Sequence, residues 1–236
     1  MHLPKLETPK YNLNIPSTKA KVSYRPFLVK EEKILLLAQE SNDESAQFDA
    51  IKEIIEACTF GKVSADDLTS YDIEYIFLKL RSKSVGETSN INIKCSSCEA
   101  ANPIQINLED IKVTYPEKEV NNKIMLTDSI GIIAKPLSTS DISKISKLGD
   151  DQGELLTATL SNSIESIFDA ENVYPMADAK KEEIEEFINS LNRSQITKIE
   201  EYIGNVPKLQ ELVKFTCLKC KAKNEIMLEG VQSFFE

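Results

Sequence analysis

The spacing of apolar positions changes several times along the chain, and each change marks an element. Tyr11, Leu13 and Ile15 alternate with polar residues, and so do Val22 and Tyr24 beyond the turn-forming Pro16-Ser17-Thr18-Lys19. Period two on both sides of a turn predicts an antiparallel hairpin. Arg25-Pro26 ends it, and from about Lys30 the spacing becomes helical, with Ile34, Leu35, Leu37 and Ala38 on one face. A second helix is expected from about Asp43, with Phe48, Ile51, Ile55 and Cys58 repeating at intervals of three and four. A third starts near Ser70, with Glu74 able to cap its first turn and a stripe of Ile73, Ile76, Phe77 and Leu80. Alternation then returns. Ile91 and Ile93 lead into Cys95-Ser96-Ser97-Cys98, and Ile104, Ile106 and Leu108 lead out of it.

Short strands follow at Val113–Tyr115, Ile124–Leu126 and Ile130–Ala134, closed by Lys135-Pro136. The rest of the second half reads as mostly helical. A short helix covers Asp141 to Leu148, and the next carries Leu156, Leu160, Ile164, Ile167 and Phe168. After Tyr174-Pro175 comes an acidic helix with Ile184, Phe187, Ile188 and Leu191, then a last one with Ile196, Ile199 and Ile203 that stops at Gly204 before Pro207. Val213 and Phe215 enter a second hairpin around Cys217-Leu218-Lys219-Cys220, and Ile226 and Leu228 leave it. The apolar Phe234-Phe235 near the end is expected to dock on the core or on a partner.

Four of the five cysteines therefore lie in two Cys-x-x-Cys pairs at hairpin tips. Cys95, Cys98, Cys217 and Cys220 offer the four thiolates that tetrahedral Zn²⁺ prefers, at zinc-ribbon spacing. Such a site is closed, with no position for water or substrate, so the expected cofactor is one structural Zn²⁺ per chain. Lys94, Lys214, Lys219, Lys221 and Lys223 surround the pairs and are read as offsetting the charge of the tetrathiolate. A redox role fits less well, since thioredoxin-like motifs open a helix after a strand, whereas these pairs sit between strands. Cys58, on a buried helical stripe, reads as a small core hydrophobe.

The two Cys hairpins align without a gap at an offset of 122 positions, Cys95 on Cys217. Ile91 then falls on Val213, Ile93 on Phe215, Asn102 on Asn224, Ile104 on Ile226 and Ile106 on Leu228. Earlier, an offset of 110 sets Arg25-Pro26-Phe27 on Lys135-Pro136-Leu137, each after a hairpin and before two helices. This predicts an internal duplication, with the acidic helix around Ile184 inserted in the second copy. The alternative is that ribbon hairpins resemble one another and the remaining matches are coincidence. The expected fold is α+β: an N-terminal arm over 1–10, a first lobe over 11–110 and a similar second lobe over 111–236, joined by the zinc site.

Composition narrows the function classes. The chain has 236 residues, 41% apolar, with a net charge of −10. That length can bury a sizeable core, and a phosphate backbone would be repelled unless the lysines are segregated. No apolar stretch is long enough to span a bilayer, and Met1–Tyr11 lacks the apolar run of a signal peptide. The expected setting is therefore cytosolic, where thiols stay reduced. His2 is the single histidine and has no triad around it, and pairs such as Glu31-Glu32 and Glu182-Glu183 read as solvated helix faces. No catalytic residues are expected.

One stretch is specific as a string. Tyr24-Arg25-Pro26-Phe27-Leu28-Val29-Lys30-Glu31-Glu32-Lys33 resembles the baseplate hub assembly protein (gene twenty-six product) family of T-even-type contractile-tailed phages. The likeness continues through Ala57-Cys58-Thr59-Phe60, Asp72–Leu78 and Leu80–Glu87 into the first Cys pair, and covers roughly the first hundred residues. It implies a late protein made in the cytoplasm of the infected bacterium, needed to build the hub and with the virion tail baseplate as its other location. It implies binding to other hub proteins and no enzymatic activity; the charge and the lack of a spanning stretch, read above, point to no nucleic acid and no membrane as partners. The rival class read from the residues is a zinc-ribbon nucleic-acid-binding regulator using the lysine cluster; a thiol oxidoreductase is the third.

Overall fold

Strand β1 (Tyr11–Asn14) pairs antiparallel with β2 (Lys21–Tyr24) in the computed structural model, which describes residues 6–41, 44–116, 121–149 and 151–235. Leu13 faces Val22 across the ladder, and both are buried with Ile15 and Tyr24, as period-two spacing requires. Helices α1 (Val29–Glu40), α2 (Glu44–Cys58) and α3 (Ser70–Ser84) follow. The expected start of α2 at Asp43 and the single histidine, His2, lie outside the described residues.

Ile54, Ile55 and Cys58 of α2 meet Ile73, Ile76, Phe77 and Leu80 of α3 under the β1–β2 hairpin. Cys58 is fully buried there, and desolvation pushes its thiol up to about 11. The start of α3 is fixed by Thr69 and Asp72, not by Glu74. The Asp72 carboxylate accepts from the Thr69 N–H and hydroxyl and from the Ser17 N–H of the hairpin turn. Glu74 is instead half-buried near Glu229. Desolvation, then the Glu229 charge, pushes its carboxyl up to about 7.

The Arg25–Glu31 pair locks the turn from β2 into α1. Its guanidinium and carboxylate are 2.8 Å apart and buried. Glu31 also accepts from the Leu28 N–H, and Arg25 donates to the Pro26 carbonyl. Burial alone would raise the Glu31 carboxyl. The Arg25, Leu28 and Lys30 hydrogen bonds outweigh it and hold the group at about 2.

Strands β3 (Thr88–Lys94) and β4 (Ala101–Asn107) form a hairpin, and β5 (Lys112–Thr114) ends this run. The next segment forms a sheet in the order β6 (Lys123–Met125), β7 (Gly131–Ala134), β8 (Ile164–Phe168), β9 (Val173–Pro175), all antiparallel. Helices α4 (Thr139–Ser146) and α5 (Gln152–Asn162) connect β7 to β8. Helices α6 (Lys181–Asn189) and α7 (Arg193–Gly204) follow β9. Strands β10 (Lys208–Thr216) and β11 (Lys223–Glu229) return as a hairpin, with β10 also pairing to β5.

The expectation of one helix from Leu156 to Phe168 is corrected. The helix ends at Asn162, and Ile164, Ser166 and Phe168 turn inward as alternate residues of β8 against β7. The segment between α5 and α7 is also larger than a single acidic helix, since it holds β8, β9 and α6.

The chain divides into two compact units. One joins residues 1–114 to 208–236, and the other is 115–207. The expected boundary at 110/111 would have placed the second Cys hairpin with the intervening segment. It belongs instead to the first unit, because β10 runs alongside β5 and shares its core: Ile91, Ile93, Ile106 and Leu108 pack with Leu209, Val213 and Leu228. Phe234, in a short 3-10 helix (Val231–Phe234), is fully buried in that same core. The chain's own core therefore occupies Phe234, which cannot serve as an anchor for a partner. The inserted unit has a separate core of Leu126, Ile132, Leu160, Ile164, Ile188 and Ile199.

Candidate metal centre

Each Cys pair sits at the tip of an antiparallel hairpin whose register puts it there. In β3–β4, Ile93 pairs with Asn102 and Lys94 with Ala101; in β10–β11, Phe215 pairs with Asn224 and Thr216 with Lys223. The registers are identical at the offset of 122. The tip turns match as well. The Cys95 N–H donates to the Ala100 carbonyl and the Cys217 N–H to the Ala222 carbonyl, both at 2.9 Å. Glu99 and Lys221 both close their turns at positive φ, 56° and 62°.

This places the four thiol sulfurs within 4.8 Å of one another. Cys95 Sγ lies 3.6 Å from Cys220 Sγ, and Cys98 Sγ lies 3.7 Å from Cys217 Sγ. Sulfurs on a tetrahedral Zn²⁺ at about 2.3 Å would be about 3.8 Å apart, so the spacing fits that ion. Cys95 and Cys217 are buried, Cys98 half-buried and Cys220 exposed.

Backbone amides aim at the sulfurs. The Ser97 N–H, then that of Cys98, lowers the Cys95 thiol. The Cys220 and Lys219 N–H groups bring Cys217 down to about 6. At Cys220 the Ala222 N–H also pulls downward, but the thiols of Cys98, Cys217 and Cys95 prevail and push it up to about 12. The backbone amides thus favour the thiolate at Cys95 and Cys217, while the neighbouring thiols oppose it at Cys220. A cation bound among the four relieves that opposition.

Two asparagines cross between the hairpins. Asn102 and Asn224 are buried at 1% and 3% exposure. The Asn102 Oδ1 accepts from the Leu218 N–H at 2.8 Å, and the Asn224 Oδ1 from the Ser96 N–H at 2.9 Å. Each Nδ2 donates to its own hairpin's carbonyl, Ala100 or Ala222. Each is also aimed at a sulfur of the opposite hairpin, Cys217 at 3.8 Å and Cys95 at 3.5 Å. These three bonds of one asparagine map onto those of the other under the 122 offset, giving the site an approximate local twofold symmetry; the Ser96 hydroxyl, which also donates to Asn224 Oδ1, has no counterpart at Asn102. The sequence pattern matches Asn102 to Asn224 but assigns them no role. The signal is there, since each lies seven positions after the first cysteine of its pair.

The sequence profile of a family described as T4 bacteriophage base plate protein matches residues 8–236. The chain belongs to this family. It is similar to the baseplate hub assembly protein gp26 of Enterobacteria phage T4, with 24% identity over 215 residues that cover 91% of this chain and 92% of that protein. No solved structure matches.

In this base plate family chain, Lys94, Lys214, Lys219, Lys221 and Lys223 are all exposed around the cluster. Lys214 pairs with Glu225 of the neighbouring strand at 3.0 Å. Among the described residues no helix is long and apolar enough to cross a membrane. Glu31, read from sequence as part of a solvated face, is buried by its pairing with Arg25. The inserted unit carries a cavity of about 910 Å³ between α5, α6 and the β8–β9 region, bordered by Lys135, Leu148, Thr157, Met176 and Ile184.

Proposed function

We propose that this chain is an assembly factor or minor component of the baseplate hub of a contractile-tailed phage. It works by binding other hub proteins, in the cytoplasm of the infected cell. The observation that carries this is similarity over nearly the full length of both chains to a protein named for hub assembly, within the base plate family. Exposed apolar side chains on both units, such as Leu37 in one and Ile142 in the other, are available for binding. Co-expression with the phage's hub proteins tests the reading. A stable complex with at least one of them is expected, and a chain that purifies alone from every pairing overturns it. Assay of finished particles decides between assembly factor and hub component.

Cys95, Cys98, Cys217 and Cys220 hold one structural Zn²⁺ in this reading, a staple between the β3–β4 and β10–β11 hairpins. The sulfur spacing and the amides aimed at the sulfurs support it. Elemental analysis of protein purified under reducing conditions should find about one zinc per chain. Chelation should unfold the unit that contains the hairpins, because structural zinc supplies folding free energy. Finding no metal overturns the assignment.

An internal duplication accounts for the matched registers. The 110 offset supports it too: Glu31 accepts from the Leu28 N–H ahead of α1, and Asp141 from the Ser138 N–H ahead of α4. The second copy would then run over 111–236, its Cys hairpin lying in the compact unit of the first.

A further inference from the structure

Helix α1 is apolar on two sides. Its inner side is accounted for, with Glu31 buried against Arg25 and Leu35 packed on the core. Its outer side carries Val29, Leu36 and Leu37 at positions i, i+7 and i+8, exposed by 66%, 54% and 68%. At 100° per residue these three share one stripe with Lys33 and Glu40. An apolar stripe left exposed opposite the buried side marks a surface available to a partner. Neither Lys33 nor Glu40 has an ion-pair partner among the described residues.

The charge pattern of the stripe says what covers it. Set two copies of α1 antiparallel, with Leu36 of one level with Leu37 of the other. Lys33 then falls level with Glu40 of the second copy, and Glu40 with Lys33 of the second copy. Two opposite-charge pairs thus bracket a four-leucine contact, and the stripe is complementary to itself, as an isologous twofold interface requires. We propose that α1 is a self-association surface that docks antiparallel on α1 of a second copy. This is independent of which hub protein the chain binds. One helix stripe covers less than the roughly 800 Å² per partner of a standard interface, so the dimer is weak, with a dissociation constant of roughly 10–100 μM.

Sedimentation of the full chain over a concentration series tests this. Near-physiological ionic strength keeps the net charge of −10 from masking the contact. The wild type should shift from monomer to dimer. Lys33→Glu and Glu40→Lys should each weaken association about tenfold, because each places like charges opposite one another. An equal mixture of the two variants should regain it, since positions 33 and 40 are both acidic in one variant and both lysine in the other, and each acid then faces a lysine. Leu36→Ser/Leu37→Ser should also lose the dimer while keeping the wild-type melting temperature, as both leucines are exposed. A wild type that stays monomeric well above roughly 100 μM overturns the proposal. So does a dimer unaffected by the single swaps, or a mixture that fails to regain association.

Discussion

Replacing Asn224 with alanine should damage both folding and the thiol cluster, and the structure sets the size of the effect. The Ser96 N–H loses its acceptor, at 2.9 Å, inside a part-buried turn, and the Ser96 hydroxyl loses the same partner at 2.7 Å. An orphaned buried donor costs about 1–3 kcal/mol. The amide donor to Cys95 Sγ, at 3.5 Å, is lost as well, and a hydrogen bond to a charged sulfur is worth about 1.5–3 kcal/mol. The Ala222 carbonyl keeps a partner in the Cys217 N–H, so it adds nothing to the loss. Together these amount to about 2.5–6 kcal/mol. Asn102→Ala removes the matching bonds, but its sulfur contact is longer, at 3.8 Å, and no hydroxyl is involved, so it should cost less by about 1 kcal/mol. Outer-shell partners of this kind also tune metal affinity by about 10–100-fold. Urea unfolding followed by circular dichroism, with chelator competition for the metal, measures both quantities. If both variants stay within about 0.5 kcal/mol of wild type and hold metal equally well, the asparagines are not the cross-hairpin link described here.

Two carboxyls should oppose each other in the pH dependence of stability. Glu31 is held at about 2, below its unfolded 4.5, so its contribution of about 3 kcal/mol is present above pH 4.5 and lost as pH falls toward 2. Glu74 is raised from 4.5 to about 7, so its contribution is fully present below 4.5 and lost as pH rises through 7. Glu74→Gln should therefore raise stability at pH 8 by about 1–3 kcal/mol and leave it unchanged at pH 4; thermal melts showing destabilisation at pH 8 would refute the assignment. The inserted unit should be removable. Thr114 and Lys208 are direct ladder partners and the two units have separate cores, so joining 114 to 208 through a turn of about two to four residues should leave a folded, metal-binding protein. An excised chain that stays unfolded with metal present would show that the units depend on each other.

Local pattern carried far in this chain. The β1–β2 hairpin, α1 to α3 and both Cys hairpins were legible because each buries one face, and a single face writes its period into the sequence. The strand β8 was not. Leu156, Leu160, Ile164 and Ile167 fit helical spacing, while Ile164, Ser166 and Phe168 fit a strand, so the same residues satisfy both templates. Pairing with β7 decides between them. The cap of α3 escapes local pattern for a related reason. Glu74 and Asp72 are both acids in the first turn, and only Asp72 lies where the Ser17 N–H of another element can reach it.

Two matched Cys-x-x-Cys hairpins, aligned without a gap and with the same asparagine seven positions after the first cysteine, are written into the local pattern. Spacing along a strand fixes which residues share a face and which sit at the tip, so no long-range knowledge was needed. Packing between distant segments is what puts both hairpins in one compact unit, brings their four sulfurs within 4.8 Å and buries Phe234 in the core beside them. Those outcomes depend on β10 lying beside β5 across a long insertion, a contact between distant segments that no local periodicity records.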